Sequence, residues 1–182
     1  IGALCHQSRV AQNPVCRERF PLLSEAILSG ASGQIRNMAT VGGNLLQRTR
    51  CSYFREFSSP CNKRSPGSGC PALHAPARGY ALFGRSKHCV ATFPSDQATA
   101  LVALDASISI QGKDGLRSLP LDEFFRLPGD TPNIDNELRP DELVITVDLP
   151  ASTARLHSAY VKVRDRQSYV FALVSVAVAL PI

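Results

Sequence analysis

No run of about 18 consecutive apolar residues, the length a membrane-spanning helix needs, occurs in this sequence, so membrane insertion is not expected. The most apolar segment, residues 171–180, is far too short for a span. No secretory signal pattern opens the chain. Its first residue is Ile1, and its last residues fall within a strand-like run, so it is read as an internal piece of a longer protein. The two common nucleotide-binding turns, G-x-G-x-x-G and the Walker A loop, are missing, which removes the usual Rossmann and P-loop signals. There is no C-x2-C zinc knuckle and no ferredoxin-type cysteine run. Zinc-finger and RNP patterns are absent as well, so nucleic acid is not expected as a partner. No nucleophile–base pair stands out, and no catalytic residue is assigned.

What the chain does have is a core and a basic stretch. Apolar residues make up 44% of the 182 positions, which suits a packed domain and not a disordered segment. The formal net charge is +5. Much of the excess sits in Arg48, Arg50, Arg55, Lys63, Arg64, Arg78, Arg85 and Lys87. A stretch of that kind suits an anionic cofactor or an acidic partner.

Residues 1–10 read as a strand entering a loop. Pro21 suits the first turn of a helix. Leu22, Leu23, Ala26 and Ile27 give that helix an apolar face, and Gly30 ends it. Residues 31–38 read as a polar connection. Thr40-Val41-Gly42-Gly43-Asn44 follows, where two glycines permit a tight turn and close approach of backbone to a ligand. Free N–H groups in such a turn would suit a phosphate; a plain hairpin turn is the simpler alternative.

Regular structure resumes at Pro94-Ser95-Asp96, with an acidic residue favoured at a helix start. Ala98, Leu101, Val102 and Ala106 continue that helix. Ile108 and Ile110 alternate with polar residues, as in a strand. Asp114-Gly115 is a hairpin turn signal, with residues 116–119 as the return strand. Residues 121–127 read as a short helix or turn. Leu143, Ile145, Val147 and Leu149 alternate as another strand, and residues 159–163 and 171–180 as two more. Hairpins mixed with a few helices define an α+β class and not a doubly wound parallel sheet.

Between residues 48 and 92 no period holds, and prolines and glycines interrupt the stretch repeatedly. A structureless loop of this length needs something other than an apolar core to tie it down. It contains Cys51, Cys61, Cys70 and Cys89, spaced C-x9-C-x8-C-x18-C. Spacing alone leaves a metal site, disulfides and free thiols open. His74 and His88 would complete a mixed zinc site, or would be ordinary solvated residues. The lack of apolar filling and the surrounding cations favour an anionic thiolate cluster over disulfides. Cys5 and Cys16 stand apart, as thiols with no assigned role.

Several stretches in order carry a resemblance. Ala31-Ser32-Gly33-Gln34-Ile35-Arg36-Asn37-Met38-Ala39-Thr40-Val41-Gly42-Gly43-Asn44 is similar to the I-R-N-x-A-T-x-G-G-N-L pattern of FAD-binding subunits in the xanthine dehydrogenase family of molybdenum hydroxylases. Pro94-Ser95-Asp96, Leu104-Asp105-Ala106, Pro140-Asp141-Glu142-Leu143 and Tyr160-Val161-Lys162 match later motifs of that family in sequence order. The cysteine stretch departs from most members. Its Arg50-Cys51-Ser52-Tyr53-Phe54-Arg55 and Pro60-Cys61-Asn62-Lys63-Arg64-Ser65-Pro66-Gly67-Ser68-Gly69-Cys70 segments resemble the [4Fe-4S] insertion of the flavin subunits of periplasmic aldehyde oxidoreductases. Flavin subunits of 4-hydroxybenzoyl-CoA reductases are a looser likeness.

The resemblance implies a fold, a function and a site. The fold is the second subdomain of a two-subdomain FAD-binding fold, mainly antiparallel sheet with flanking helices. Residues 1–150 would be a partial FAD-binding domain with residues 48–92 inserted, and 151–182 the start of a C-terminal flavoprotein domain. Thr40, Gly42, Gly43, Asn44, Ser95 and Asp96 are implied to bind FAD, with Leu143 and Lys162 beside the isoalloxazine. Cys51, Cys61, Cys70 and Cys89 are implied ligands of one [4Fe-4S] cluster, their sulfurs converging on a narrow pocket. The protein would be an electron-transfer subunit of a molybdenum-dependent aldehyde or heterocycle oxidoreductase. It would form a heterotrimer with a molybdenum cofactor subunit and a [2Fe-2S] subunit, in the periplasm by co-export or in the cytoplasm. The family's Gly-rich FAD segment lies upstream, and nothing before Ile35 matches it. The rival reading from the residues is a non-enzymatic, zinc-stapled basic binding module.

Overall fold

The computed structural model describes residues 1–181. It divides into two compact units. The first comprises Ile1–Gln47, Ser95–Phe124 and the described residues from Leu138 onward; the second comprises Arg48–Pro94 and Phe125–Glu137.

Five short helices open the first unit: α1 (Gln7–Gln12), α2 (Pro14–Arg19), α3 (Pro21–Ser29), α4 (Gly33–Met38) and α5 (Val41–Leu45). Each start has a local cause. Pro14 and Pro21 occupy first-turn positions of α2 and α3, where a missing N–H costs nothing. The Asn13 side chain accepts from Val15 N–H at 2.9 Å and from Cys16 N–H at 3.3 Å. Ser32 and Thr40 cap α4 and α5 through Ile35 N–H and Gly43 N–H. The chain then enters the second unit, whose one α-helix, α6, is Ser52–Arg55. The first unit resumes with α7 (Asp96–Ala103), capped by Ser95 Oγ accepting from Ala98 N–H at 2.9 Å.

Strands β1 (Ser107–Gly112), β2 (Gly115–Pro120) and β3 (Leu143–Asp148) form an antiparallel sheet of order β2-β1-β3, with helix α8 (Leu121–Phe124) after β2. The β1–β2 turn closes Gly112 against Gly115, and Gly115 has φ +113°, a value that glycine alone adopts cheaply. Strands β4 (His157–Val163) and β5 (Val174–Leu180) make a separate antiparallel pair. They pack through one face on α3 and α7. Val161, Val176 and Val178 on the other face are exposed. The core of the unit contains Leu22, Leu23, Ile27, Leu101, Leu104, Ile108, Ile110 and Phe124, all fully buried. The arrangement is the α+β class expected from the sequence.

Several expectations are corrected. Residues 31–38 are not only a connection but contain α4, and α7 ends at Ala103, before Ala106. Residues 1–10 are not one strand. Only the first three residues pair along β3, through Ala3 N–H to the Ile145 carbonyl and Val147 N–H to the Ile1 carbonyl, both 2.8 Å; α1 then begins at Gln7. The Gly-Gly segment is not a hairpin turn but lies within α5, and neither glycine has a positive φ.

Candidate functional site

Helix α5 sits where α1, α3 and α7 meet the residues before α1. Gly42 N–H donates to the Ala3 carbonyl at 2.8 Å, and Val41 N–H to the Cys5 carbonyl at 2.9 Å. A Cβ on Gly42 would lie 3.0 Å from Ala3 Cβ and 3.2 Å from its carbonyl oxygen, so buried Gly42 is set by close packing. Gly43 N–H bonds Thr40 Oγ1 and Asn44 N–H bonds the Thr40 carbonyl. All four N–H groups from Val41 to Asn44 are therefore used internally. The open nest of free N–H groups that the sequence suggested is not what these residues form, because the Thr40 side chain and carbonyl and the carbonyls of Ala3 and Cys5 take up the donors.

What the segment presents outward is side chains and one bare edge. Gly43 is exposed. Ser95 Oγ donates to Asn44 Oδ1 at 2.6 Å, which brings two expected FAD residues together and leaves the Asn44 amide Nδ2 without an acceptor among the described residues. A sequence reading misses the element that locks this arrangement. Gln97, 1% exposed, donates to the Val41 carbonyl at 3.3 Å and accepts from Gln7 Nε2 at 2.9 Å. A buried, doubly bonded amide of this kind fixes α7 to α5 and α1.

Asp96 and Lys162, also expected at the flavin, contact each other. Lys162 Nζ lies 2.8 Å from Asp96 Oδ2 and donates to the Ser29 carbonyl at 3.1 Å. Tyr160 donates its hydroxyl to Asp96 Oδ1 at 2.5 Å. Burial, and then this bond to a carboxylate, push the Tyr160 phenol well above its ordinary range. The group joins β4 to α3 and α7. Leu143 stands apart from it, 70% exposed at the start of β3. That exposure rules out simple core packing and leaves an apolar surface for a ligand to cover.

In the second unit, burial pushes the Cys70 and Cys89 thiols upward, and neighbouring thiolates push the same way. Cys70 feels Cys51 and Cys61; Cys89 feels Cys70 and Cys61. Hydrogen bonds from the backbone at Leu73 and Ala72 to Cys70, and from that at Ala91 to Cys89, favour the thiolates, as does the charge of Lys63 on Cys89. All four are free thiols. Among the described residues, however, no three His, Cys, Asp or Glu side chains gather closely enough to hold a metal ion. The expected convergence on a narrow pocket is not seen at that range. His88 is turned to Asp130, 3.3 Å away, and His74 is exposed.

The order of this unit comes from polar side chains that the sequence did not reveal. Arg64 donates to the carbonyls of Tyr53 (3.2 Å), Phe54 (2.6 Å) and Ser59. Lys63, whose side chain is 10% exposed, bonds Asp135 and the Pro132 carbonyl. Asp135 also accepts from Arg48 Nε at 2.8 Å.

Comparison with known proteins shows a flavin-binding class. Residues 1–152 match the family described as FAD binding domain in molybdopterin dehydrogenase; the chain belongs to that family. Among curated proteins it is 51% identical to "Aldehyde oxidoreductase FAD-binding subunit PaoB" of Escherichia coli (strain K12), covering 97% of this chain and 56% of that protein. It is 22% identical to "Nicotinate dehydrogenase FAD-subunit" of Eubacterium barkeri, covering 100% of this chain and 46% of the relative. The chain spans about half the length of the curated relatives it matches. Its fold is shared with carbon monoxide dehydrogenase from Hydrogenophaga pseudoflava, at a TM-score of 0.61 and 22% identity over 94% of this chain and 43% of that one.

Proposed function

We propose that this chain is part of an FAD-binding electron-transfer subunit of a molybdenum-dependent aldehyde oxidoreductase, and that it also carries a [4Fe-4S] cluster. The observation that carries the reading is the 51% identity, along nearly the whole chain, to an aldehyde oxidoreductase FAD-binding subunit. Membership of the FAD-binding family supports the flavin independently.

The residues fit the flavin in particular ways. Buried Ser95 holds the Asn44 Oδ1, which leaves the Asn44 Nδ2 as a donor for a nucleotide oxygen beside Thr40. Gly43 leaves that surface without a side chain, and Gly42 lets α5 seat on Ala3. Exposed Leu143 supplies apolar area for a ring. Asp96 and Lys162 act through each other, holding β4 against α7. FAD, when bound, supplies redox chemistry that no amino-acid side chain offers.

Cys51, Cys61, Cys70 and Cys89 would hold the cluster, which supplies one-electron capacity. Their fit rests on chemistry. Two of the four thiols are buried and two half-buried, and burial first, then neighbouring thiolates, disfavour ionisation of Cys70 and Cys89. Bound iron relieves that repulsion, and backbone N–H groups already point at two of the sulfurs. Metal ligation would add folding energy to a unit with little apolar core.

The partners proposed are a molybdenum cofactor subunit and a [2Fe-2S] subunit in a heterotrimer. The absence of any nucleophile–base pair supports a chain whose substrate chemistry lies on another subunit. The test is co-purification of the full-length subunit with its partners, followed by aldehyde addition. Flavin bleaching should require the partners. Aldehyde oxidation by the isolated flavin subunit would overturn the reading.

A further inference from the structure

We propose that Asn62 is the positioning residue that sets Cys70 and Cys89 relative to Cys61, a role whose chemical purpose rests on the cluster reading above. Asn62 follows Cys61 directly and is 8% exposed. Its amide is used at both ends. Nδ2 donates to the His88 carbonyl at 3.0 Å, and Oδ1 accepts from Gly69 N–H at 2.8 Å. Its own backbone N–H donates to the Gly69 carbonyl, also at 2.8 Å. Gly69 and His88 are the residues immediately before Cys70 and Cys89. One side chain therefore joins three cysteine-bearing segments spread over 28 residues of sequence, Cys61 to Cys89.

The chemistry of the residue type matters. A carboxamide carries both an acceptor and a donor on one rigid plane. Aspartate keeps the acceptor for Gly69 but loses the donor for His88; alanine loses both. Gly69 has φ +104°, so the segment before Cys70 follows a path open to few other residues, and the Asn62 oxygen pins its N–H. Cys51 lies outside this clamp. It precedes α6, whose Tyr53 and Phe54 carbonyls are held by Arg64. Asn62 and Arg64, two positions apart, thus divide the four thiols three to one.

The test uses the full-length subunit, as purified and after iron removal by a chelator. Alkylation of each cysteine by iodoacetamide is followed over time by site-resolved mass spectrometry. Asn62→Ala should raise the rates at Cys70 and Cys89 several-fold, with Cys51 and buried Cys16 unchanged. Asn62→Asp should raise Cys89 alone, and this variant decides the matter if the alanine variant does not fold. As purified, Asn62→Asp should also alter the electron paramagnetic resonance line shape of the reduced cluster. Wild-type rates at Cys70 and Cys89 in both variants, or equal increases at all cysteines including Cys16, would overturn the role. A wild-type subunit without iron would instead overturn the cluster reading, while the alkylation pattern would still judge Asn62.

Discussion

The Lys162 ammonium lies 2.8 Å from the Asp96 carboxylate, with the lysine side chain only 3% exposed. A buried pair of this kind is held by its mutual satisfaction, and removing one partner strands the other charge. Lys162→Met should destabilise the subunit by about 3–5 kcal/mol, seen as a lower denaturant midpoint. The loss should appear with and without flavin. A destabilisation confined to the flavin-loaded form would mean that Lys162 acts on the flavin and not on Asp96.

The adjacent glycines of α5 should respond differently to substitution. Gly42→Ala drives a Cβ to 3.0 Å from Ala3 Cβ and should cost about 1–3 kcal/mol of stability by overpacking. Gly43→Val meets only Thr40 Oγ1, at 2.8 Å, on an exposed edge. It should cost about 1 kcal/mol through the disturbed cap but lower flavin content far more than Gly42→Ala. Denaturation and bound-flavin analysis of the two variants side by side check this. Equal flavin loss per unit of lost stability would count against Gly43 facing the nucleotide.

Acid sensitivity should trace partly to Glu142. Arg117 bonds both its oxygens at 2.7 and 2.8 Å, and this pairing holds the carboxyl down to about 2. Its unfolded value is about 4.3. A depressed folded value means the contribution is present above pH ~4.3 and is lost as pH falls toward ~2. Glu142→Gln should flatten the fall in urea midpoint over that window. An unchanged slope would remove Glu142 as a cause.

How much of this was legible beforehand depended on local signals. Helix α3 was readable because Pro21 starts it and Leu22, Leu23, Ala26 and Ile27 mark its buried face. The β1–β2 hairpin was readable from Asp114-Gly115, and β3 from alternation. Helices α4 and α5 were not, because five- and six-residue helices have no room for periodicity and α5 contains two poor helix formers. The Ser32 and Thr40 caps were the available signal. The candidate FAD residues were legible as a motif, but not that Asp96 would meet Lys162, 66 residues on. The cysteine segment was legible as chemistry alone. Its order comes from Asn62, Lys63 and Arg64 bonding carbonyls and a carboxylate remote in sequence, which no short-range pattern encodes.

The most direct measurement is combined flavin, iron, zinc and visible-absorption analysis of the full-length subunit beside single Cys→Ser variants at Cys51, Cys61, Cys70 and Cys89. The account predicts a yellow-brown protein with about one FAD and about four irons per chain. Each of these four variants should lose iron, and Cys5→Ser and Cys16→Ser should not. A colourless protein holding zinc, or disulfides joining Cys51 to Cys61 or Cys70 to Cys89, would contradict it.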